Sequence, residues 1–308
     1  MQAWAMASLI LHHFPSSPWS EVLRLALGLK GLDYGSVEVP SICPKPQLEV
    51  LTGGYVRTPV LQSGADLFCG TSAAIDALET LHPDPSLFPP PLRQGHRLLA
   101  QAVQGAVFTW AAGAAMGDLP TQGFEAFWAD RERRFGMKPD AFRALAPHLA
   151  AQFAGHLANL EAALADGRAF LGGDTPGHGD LAHYQLLWFQ KARHGGDLAP
   201  LLADRPHLGA WVLRMDDIGH GNPMPMSAEA AIAAASGAEP TVRGIVAPGS
   251  GFEAGQTVLV SQEGSTDPAV EGRLAVLTDR RITLLRDRPE TGPVALHFPR
   301  LGQIVRPA

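Results

Sequence analysis

Cysteine is nearly absent: the 308 residues hold two, Cys43 and Cys69, far apart and in no ligand-like spacing. A disulfide scaffold is thereby excluded, and so few thiols suit a reducing compartment such as the cytoplasm. Long apolar runs are missing as well, and no stretch is long enough to span a bilayer. The apolar opening, residues 1–11, has no positive region before it and is ended by His12, His13 and Pro15, so it fails as a secretory signal. Concentrated basic charge is the third absence. Lys and Arg number 24 against 30 Asp and Glu, a net charge of −6. With no basic tract to offset it, neither nucleic acid nor an anionic membrane is an expected partner. Small molecules and proteins remain.

What is present is the composition of an ordinary globular chain, 46% hydrophobic and 18% charged. Its length calls for two or three compact units. Residues 9–14 read as a short strand ended by Pro15-Ser16-Ser17-Pro18. Val22, Leu23, Leu25, Ala26, Leu27 and Leu29 then give the apolar face of a helix. Residues 34–39 alternate as a second strand. After an irregular proline region around Lys45, a helix and a loop follow. Residues 58–62 and 67–69 flank a turn as an antiparallel hairpin, and residues 71–81 close the unit as a helix. The order is βαβ, then ββα.

Five prolines between His82 and Pro91 mark a linker. The domain boundaries expected are 1–82, a linker at 83–91, a helical unit over 92–235, and a β-rich tail at 236–308. In the helical unit, residues 92–116, 121–135 and 139–165 carry helical periodicity, and strand-like alternation is absent. The tail shows candidate strands at 257–261, 272–277, 281–286 and 294–298, with no internal repeat. So small a unit is marginal alone and is expected to pack on the rest.

Four segments, in order, carry a family likeness. They are Phe14-Pro15-Ser16-Ser17-Pro18-Trp19-Ser20-Glu21-Val22-Leu23-Arg24, Thr52-Gly53-Gly54-Tyr55-Val56-Arg57-Thr58-Pro59-Val60-Leu61, Leu67-Phe68-Cys69-Gly70-Thr71-Ser72-Ala73-Ala74-Ile75, and residues 170–181 with Asp180 near their end. Together they resemble the cytosolic-type glutathione transferases over roughly residues 8–220. The resemblance implies a thioredoxin-like N-terminal domain and a glutathione-transferase-like helical bundle, here with a small β-rich C-terminal domain like the extension on some bacterial relatives. It further implies glutathione as co-substrate, a small hydrophobic electrophile as second substrate, no metal, and a homodimer.

The same resemblance assigns roles. Ser17 is carried over as the contact to the glutathione sulfur, with Ser16 and Ser20 as neighbouring alternatives. A hydroxyl at a helix start both caps backbone donors and stabilises a nearby thiolate, lowering the thiol pKa. Pro59 is matched to the family's cis-proline, which leaves the backbone of Thr58 free to pair with the cysteinyl part of glutathione as one strand edge pairs with another. Thr71 and Ser72, at a helix N-terminus, suit the γ-glutamyl carboxylate. Two positions depart from the family pattern: Gly70 stands where an acid is usual, and Gly177 where a capping hydroxyl is usual.

Other residues read as structural. His12 and His13 point to opposite faces of a strand and cannot share a metal; His178 and His183 lack a third ligand; Cys69 is an inert small hydrophobe. Asp180 reads as a helix cap. Phe108, Trp110 and Met116 are candidates either for an apolar pocket between the domains or for bundle core. Tyr55 and Arg57 border the proline loop. Gly70 and Gly177 also motivate a different class of function, a transferase fold serving as a binding or interaction module. Disulfide reduction is disfavoured, because serine stands where that chemistry needs cysteine.

Overall fold

The computed structural model describes residues 9–308. The N-terminal unit runs β1 (Ile10–His13), α1 (Pro18–Leu29), β2 (Asp33–Glu38), α2 (Pro46–Thr52), β3 (Val60–Ser63), β4 (Asp66–Cys69) and α3 (Thr71–Leu81). Helix α1 starts where the sequence places its signals. Ser17 caps it, Pro18 occupies the first turn, and Val22, Leu23, Leu25, Ala26 and Leu27 are buried beneath it. It stops at Lys30 and Gly31, the latter at φ 61°, a conformation that favours glycine. The buried Lys30 ammonium donates to the carbonyls of His82 and Pro85, both at 2.6 Å, and so ties the proline-rich linker to this helix end.

The helical unit comprises α4 (Gly95–Ala102), α5 (Ala106–Met116), α6 (Glu125–Phe135), α7 (Pro139–Leu164), α8 (His178–Arg193), α9 (Ala199–Leu202) and α10 (Pro206–Asp216). The single helix expected over 92–116 is two, bent by 48°. Gly105, at φ 71° and ψ −116°, breaks the ladder between them. No single helix among the described residues is long and apolar enough to cross a membrane.

Beyond the bundle the chain returns to the first unit, which helical periodicity did not foreshadow. β5 (Asn222–Pro225) pairs parallel to β2, and α11 (Ala228–Ser236) lays Ala231 and Ala235 on the sheet. Gln62 fastens it, its Nε2 donating to the Ala231 carbonyl at 2.8 Å.

The tail adds β6 (Thr257–Gln262), β7 (Val270–Leu277), β8 (Arg281–Arg288), β9 (Gly292–Pro299) and β10 (Gln303–Pro307). Four of these strands overlay the expected segments. β10 carries Arg306 and Pro307 and shows no strand alternation. Nor is the tail a separate layer. β9 pairs parallel to β4, giving one ten-stranded sheet in the order β10-β6-β7-β8-β9-β4-β3-β1-β2-β5. His297 on β9 donates to Asp66 of β4 at 2.8 Å and stacks on Phe68, with ring centroids 4.7 Å apart. The carboxylate of Asp66 also accepts the Thr241 N–H at 3.0 Å. Leu67, Val60 and Ile10 of the first unit share one apolar cluster with Val258, Leu284, Leu296 and Phe298 of the tail.

Fully burying an aliphatic or aromatic side chain is worth about 1.5–3 kcal/mol, against a total stability of about 5–15 kcal/mol for a typical domain. A chain ending at residue 238 loses several such contacts and bares the β4 edge. It should melt well below the full-length protein or aggregate, as followed by calorimetry and light scattering. An unchanged melting temperature would show the tail to be dispensable.

Four buried histidines act together on pH dependence. Burial lowers His12, His13 and His183 to about 4 and His178 to about 3, with Arg24 adding to the effect on His13. Below pH 6.5 the unfolded chain binds protons at these positions that the folded chain refuses, so stability falls as the pH drops from about 6.5 toward 4. Each histidine contributes up to about 1.4 kcal/mol per pH unit. Urea midpoints measured across that range should decline steeply, and substituting His12 by Gln should flatten the slope by about one proton.

Candidate functional site

Three segments from separate parts of the first unit meet at one end of its sheet. The turn after β1 leads into α1, the loop before β3 carries a cis Thr58–Pro59 bond, and Gly70 opens α3. The Pro59 carbonyl accepts the Gly70 N–H at 3.1 Å, which sets the proline loop beside the start of α3. Thr71 Oγ1 donates to the Trp19 carbonyl at 3.5 Å, which sets that same start beside the α1 turn. Ser17, Thr58, Pro59 and Thr71 are thus brought to one locality, with Ser72 next along α3.

Within the turn, the three serines are not equivalent. Ser17 is 2% exposed, and its Oγ accepts the Ser20 N–H at 3.2 Å. That cap uses a lone pair and leaves the hydroxyl proton to donate elsewhere. Ser20 Oγ is buried with no hydrogen-bond partner among the described residues, whereas Ser16 is exposed. A buried arginine that the motif contains, but that sequence reasoning gave no task, holds the turn in shape. Arg24 donates to the carbonyls of Pro15 and Ser17 at 3.2 and 3.3 Å, pairs with Glu21 at 2.7 Å, and stacks its guanidinium 5.1 Å from the Trp188 ring centroid. It also donates to His13 Nδ1 at 3.0 Å, so His13 carries its proton on Nε2 and gives it to Ser36 Oγ at 2.8 Å. Glu21 in turn accepts His220 Nε2 at 2.8 Å.

On the far side of the proline loop lies a cluster of charge. Lys45 is 2% exposed, with its ammonium 5.2 Å from the Phe14 ring. Burial, then the charges of Arg134 and Arg131, lower its pKa to about 8. Arg131 pairs with Asp130 at 2.8 Å, and Asp130 also accepts the Cys43 N–H at 3.2 Å. Arg57 and Arg134 converge on Asp267 of the tail, at 2.8 and 2.6 Å. The partners lie more than 100 residues apart in sequence and in different units, so no local spacing announces them.

The apolar candidates separate. Phe108 packs on Trp19 at 4.9 Å, next to the turn, and on Phe189 at 6.3 Å. Met116 joins the bundle cluster around Trp128 and Phe142, and Trp110 packs both on that cluster and on the one that joins the N-terminal unit to the bundle. Two adjoining cavities, of about 760 and 270 Å³, lie elsewhere, between α3, the linker and the tail. The smaller reaches Ser72; neither touches Ser17, Thr58 or Thr71.

Residues 11–86 match the family profile described as glutathione S-transferase, N-terminal domain, and residues 131–216 match glutathione S-transferase, C-terminal domain. A GST-like protein from Pseudomonas syringae, of known crystal structure, is 32% identical, over 98% of this chain and 100% of its own, with a TM-score of 0.80. The chain belongs to the glutathione S-transferase family. Coverage of that extent includes the β-rich tail, so the Pseudomonas relative shares it. Two more distant structures share the fold: a glutathione S-transferase from Rhodospirillum rubrum F11 is 22% identical over 68% of this chain and 87% of its own, with a TM-score of 0.53. A glutathione transferase from Phanerochaete chrysosporium is 19% identical over 68% of this chain and 96% of its own, with a TM-score of 0.56. No curated protein matches the sequence.

Both glycines that depart from the glutathione transferase pattern have local reasons. Gly177 sits against His96: a Cβ there would fall 2.5 Å from the imidazole Cε1. A capping hydroxyl has no room. Asp180 compensates, accepting the N–H groups of Gly177 and Leu171 at 3.1 and 2.7 Å and the Trp211 indole at 3.1 Å. Gly70 has φ 91° and ψ 160°, a conformation that side chains rarely adopt, and a Cβ would lie 3.1 Å from the Tyr55 hydroxyl. An acid at this position would therefore be held under backbone strain. Gly70→Glu should cost about 1–3 kcal/mol of stability, read as a lowered denaturation midpoint. No loss would show that the loop relaxes to accept a side chain.

Proposed function

We propose that this family member binds glutathione and transfers its thiolate to a small, mostly apolar electrophile. The observation that carries the reading is the convergence of the α1 turn, the cis-proline loop and the start of α3, with the Thr71 hydroxyl bonded to the Trp19 carbonyl. In this assignment the Ser17 hydroxyl, whose oxygen already caps α1, donates its proton to the glutathione sulfur and favours thiolate over thiol. Thr58, ahead of the cis bond to Pro59, offers its backbone to the cysteinyl residue. Thr71, Ser72 and the first N–H groups of α3 take the γ-glutamyl carboxylate. Trp19 and Phe108 supply an apolar wall beside the sulfur for the electrophile, and holding the two reactants together supplies much of the rate. A cytoplasmic homodimer fits this reading.

A charge-assisted hydrogen bond of this kind is worth about 1.5–3 kcal/mol, or roughly tenfold to a hundredfold. Ser17→Ala should lower the rate of a thiol-conjugation assay by that factor and raise the pKa of the bound thiol, seen in thiolate absorbance, with little change in calorimetric affinity for glutathione. A variant as active as the parent would move the sulfur contact to Ser20 or remove it altogether. The alternative, a binding or interaction protein without turnover, draws support from Gly70, which deprives the glutathione amino group of a carboxylate. In that case millimolar glutathione neither binds nor reacts, and Gly70→Glu gains nothing in binding.

A further inference from the structure

The tail reaches the thiol site through the loop between β6 and β7, residues 263–269. Thr266 fastens this loop to the end of α6, its Oγ1 donating to the Arg133 carbonyl at 2.5 Å and its N–H to that of Arg134 at 3.4 Å. The next residue, Asp267, receives Arg134 through Nε at 2.6 Å and Nη2 at 3.0 Å, and Arg57 through Nε at 2.8 Å. The Phe135 ring lies 5.3 Å from the Arg57 guanidinium and 5.0 Å from that of Arg134. With its side chain 8% exposed, the carboxylate is seated rather than solvated.

Arg57 directly precedes Thr58. The inference rests on the glutathione reading above, in which an extended thiol passes Thr58 with its γ-glutamyl end toward α3. Pro59 is on the α3 side, since its carbonyl accepts the Gly70 N–H at 3.1 Å. The ligand's other end, a carboxylate in glutathione, then runs past Arg57. We propose that Asp267 is a specificity-determining residue, a carboxylate of the protein's own that competes with the C-terminal carboxylate of the thiol ligand for the Arg57 guanidinium. Arg134 makes two of the three bonds to Asp267 and keeps it in place when Arg57 is drawn away. Lys45 is buried against the Phe14 ring and makes no direct ion pair among the described residues. Arg131 is engaged by Asp130. Among the described residues, an Arg57 held by Asp267 leaves a C-terminal carboxylate one cation fewer to pair with. The site's ligand class extends to γ-glutamyl-cysteinyl thiols whose C-terminal end is shortened or uncharged.

The test compares glutathione with its glycyl monoethyl ester by calorimetry on the full-length protein, and reads the ratio of the two dissociation constants. Asp267→Asn should raise the preference for the free acid about fivefold to tenfold over wild type. Adding Arg57→Gln to that variant should return the ratio to the wild-type value, and Asp267→Glu, which keeps a carboxylate, should leave it there. A ratio indifferent to Asp267→Asn, or a gain that survives loss of Arg57, overturns the proposal while leaving glutathione binding intact. If no variant binds either thiol, the glutathione reading itself falls, and this inference with it.

Discussion

The pairing of β9 with β4 is the contact on which the architecture turns. Without it the N-terminal unit has an exposed strand edge and a half-covered apolar face, and the tail is a small meander with little core of its own. The His297 imidazole bonded to Asp66 lies within that pairing, so register and polar satisfaction are set at one point. The same attachment determines where the loop bearing Asp267 can reach. A structural addition and the pairing of Asp267 with Arg57 beside the proline loop are therefore consequences of one strand pairing.

Local signals in the sequence predict the local elements well. Ser17-Pro18 before an apolar helical face and Thr71 opening a helix each act within a few residues, and each appears where the pattern places it. What escapes is whatever depends on distant partners. β5 is Asn-Pro-Met-Pro, with no alternation to mark it, and is a strand only because β2 offers an edge. The break at Gly105 is visible as a glycine but not as a bend, because alanine-rich flanks support a helix on both sides.

The site divides along the same line. The serines, the cis-proline and the hydroxyls of α3 lie in contiguous motifs, and the structure gathers them at one end of the sheet. The residues that hold them do not. Arg24 supports the turn through backbone carbonyls and a ring from α8, and Lys45 owes its lowered pKa to burial beside two arginines of α6. Gly177 is the clearest lesson: as text it is a missing cap, while in space it makes room for His96. Substitutions that look like losses in a motif can be accommodations to a neighbour that the motif does not contain.

The sheet's two outermost strands have a consequence for how the molecule meets others of its kind. A ten-stranded open sheet leaves an unpaired strand edge at each border, and such edges recruit further strands. Here one border is β5, with Pro223 and Pro225, and the other is β10, which finishes in Arg306 and Pro307. Proline has no N–H to offer a newcomer, and a charged side chain resists dehydration between strands. Having absorbed its own tail on the interior edge, the protein finishes both borders with residues that discourage another strand from being added.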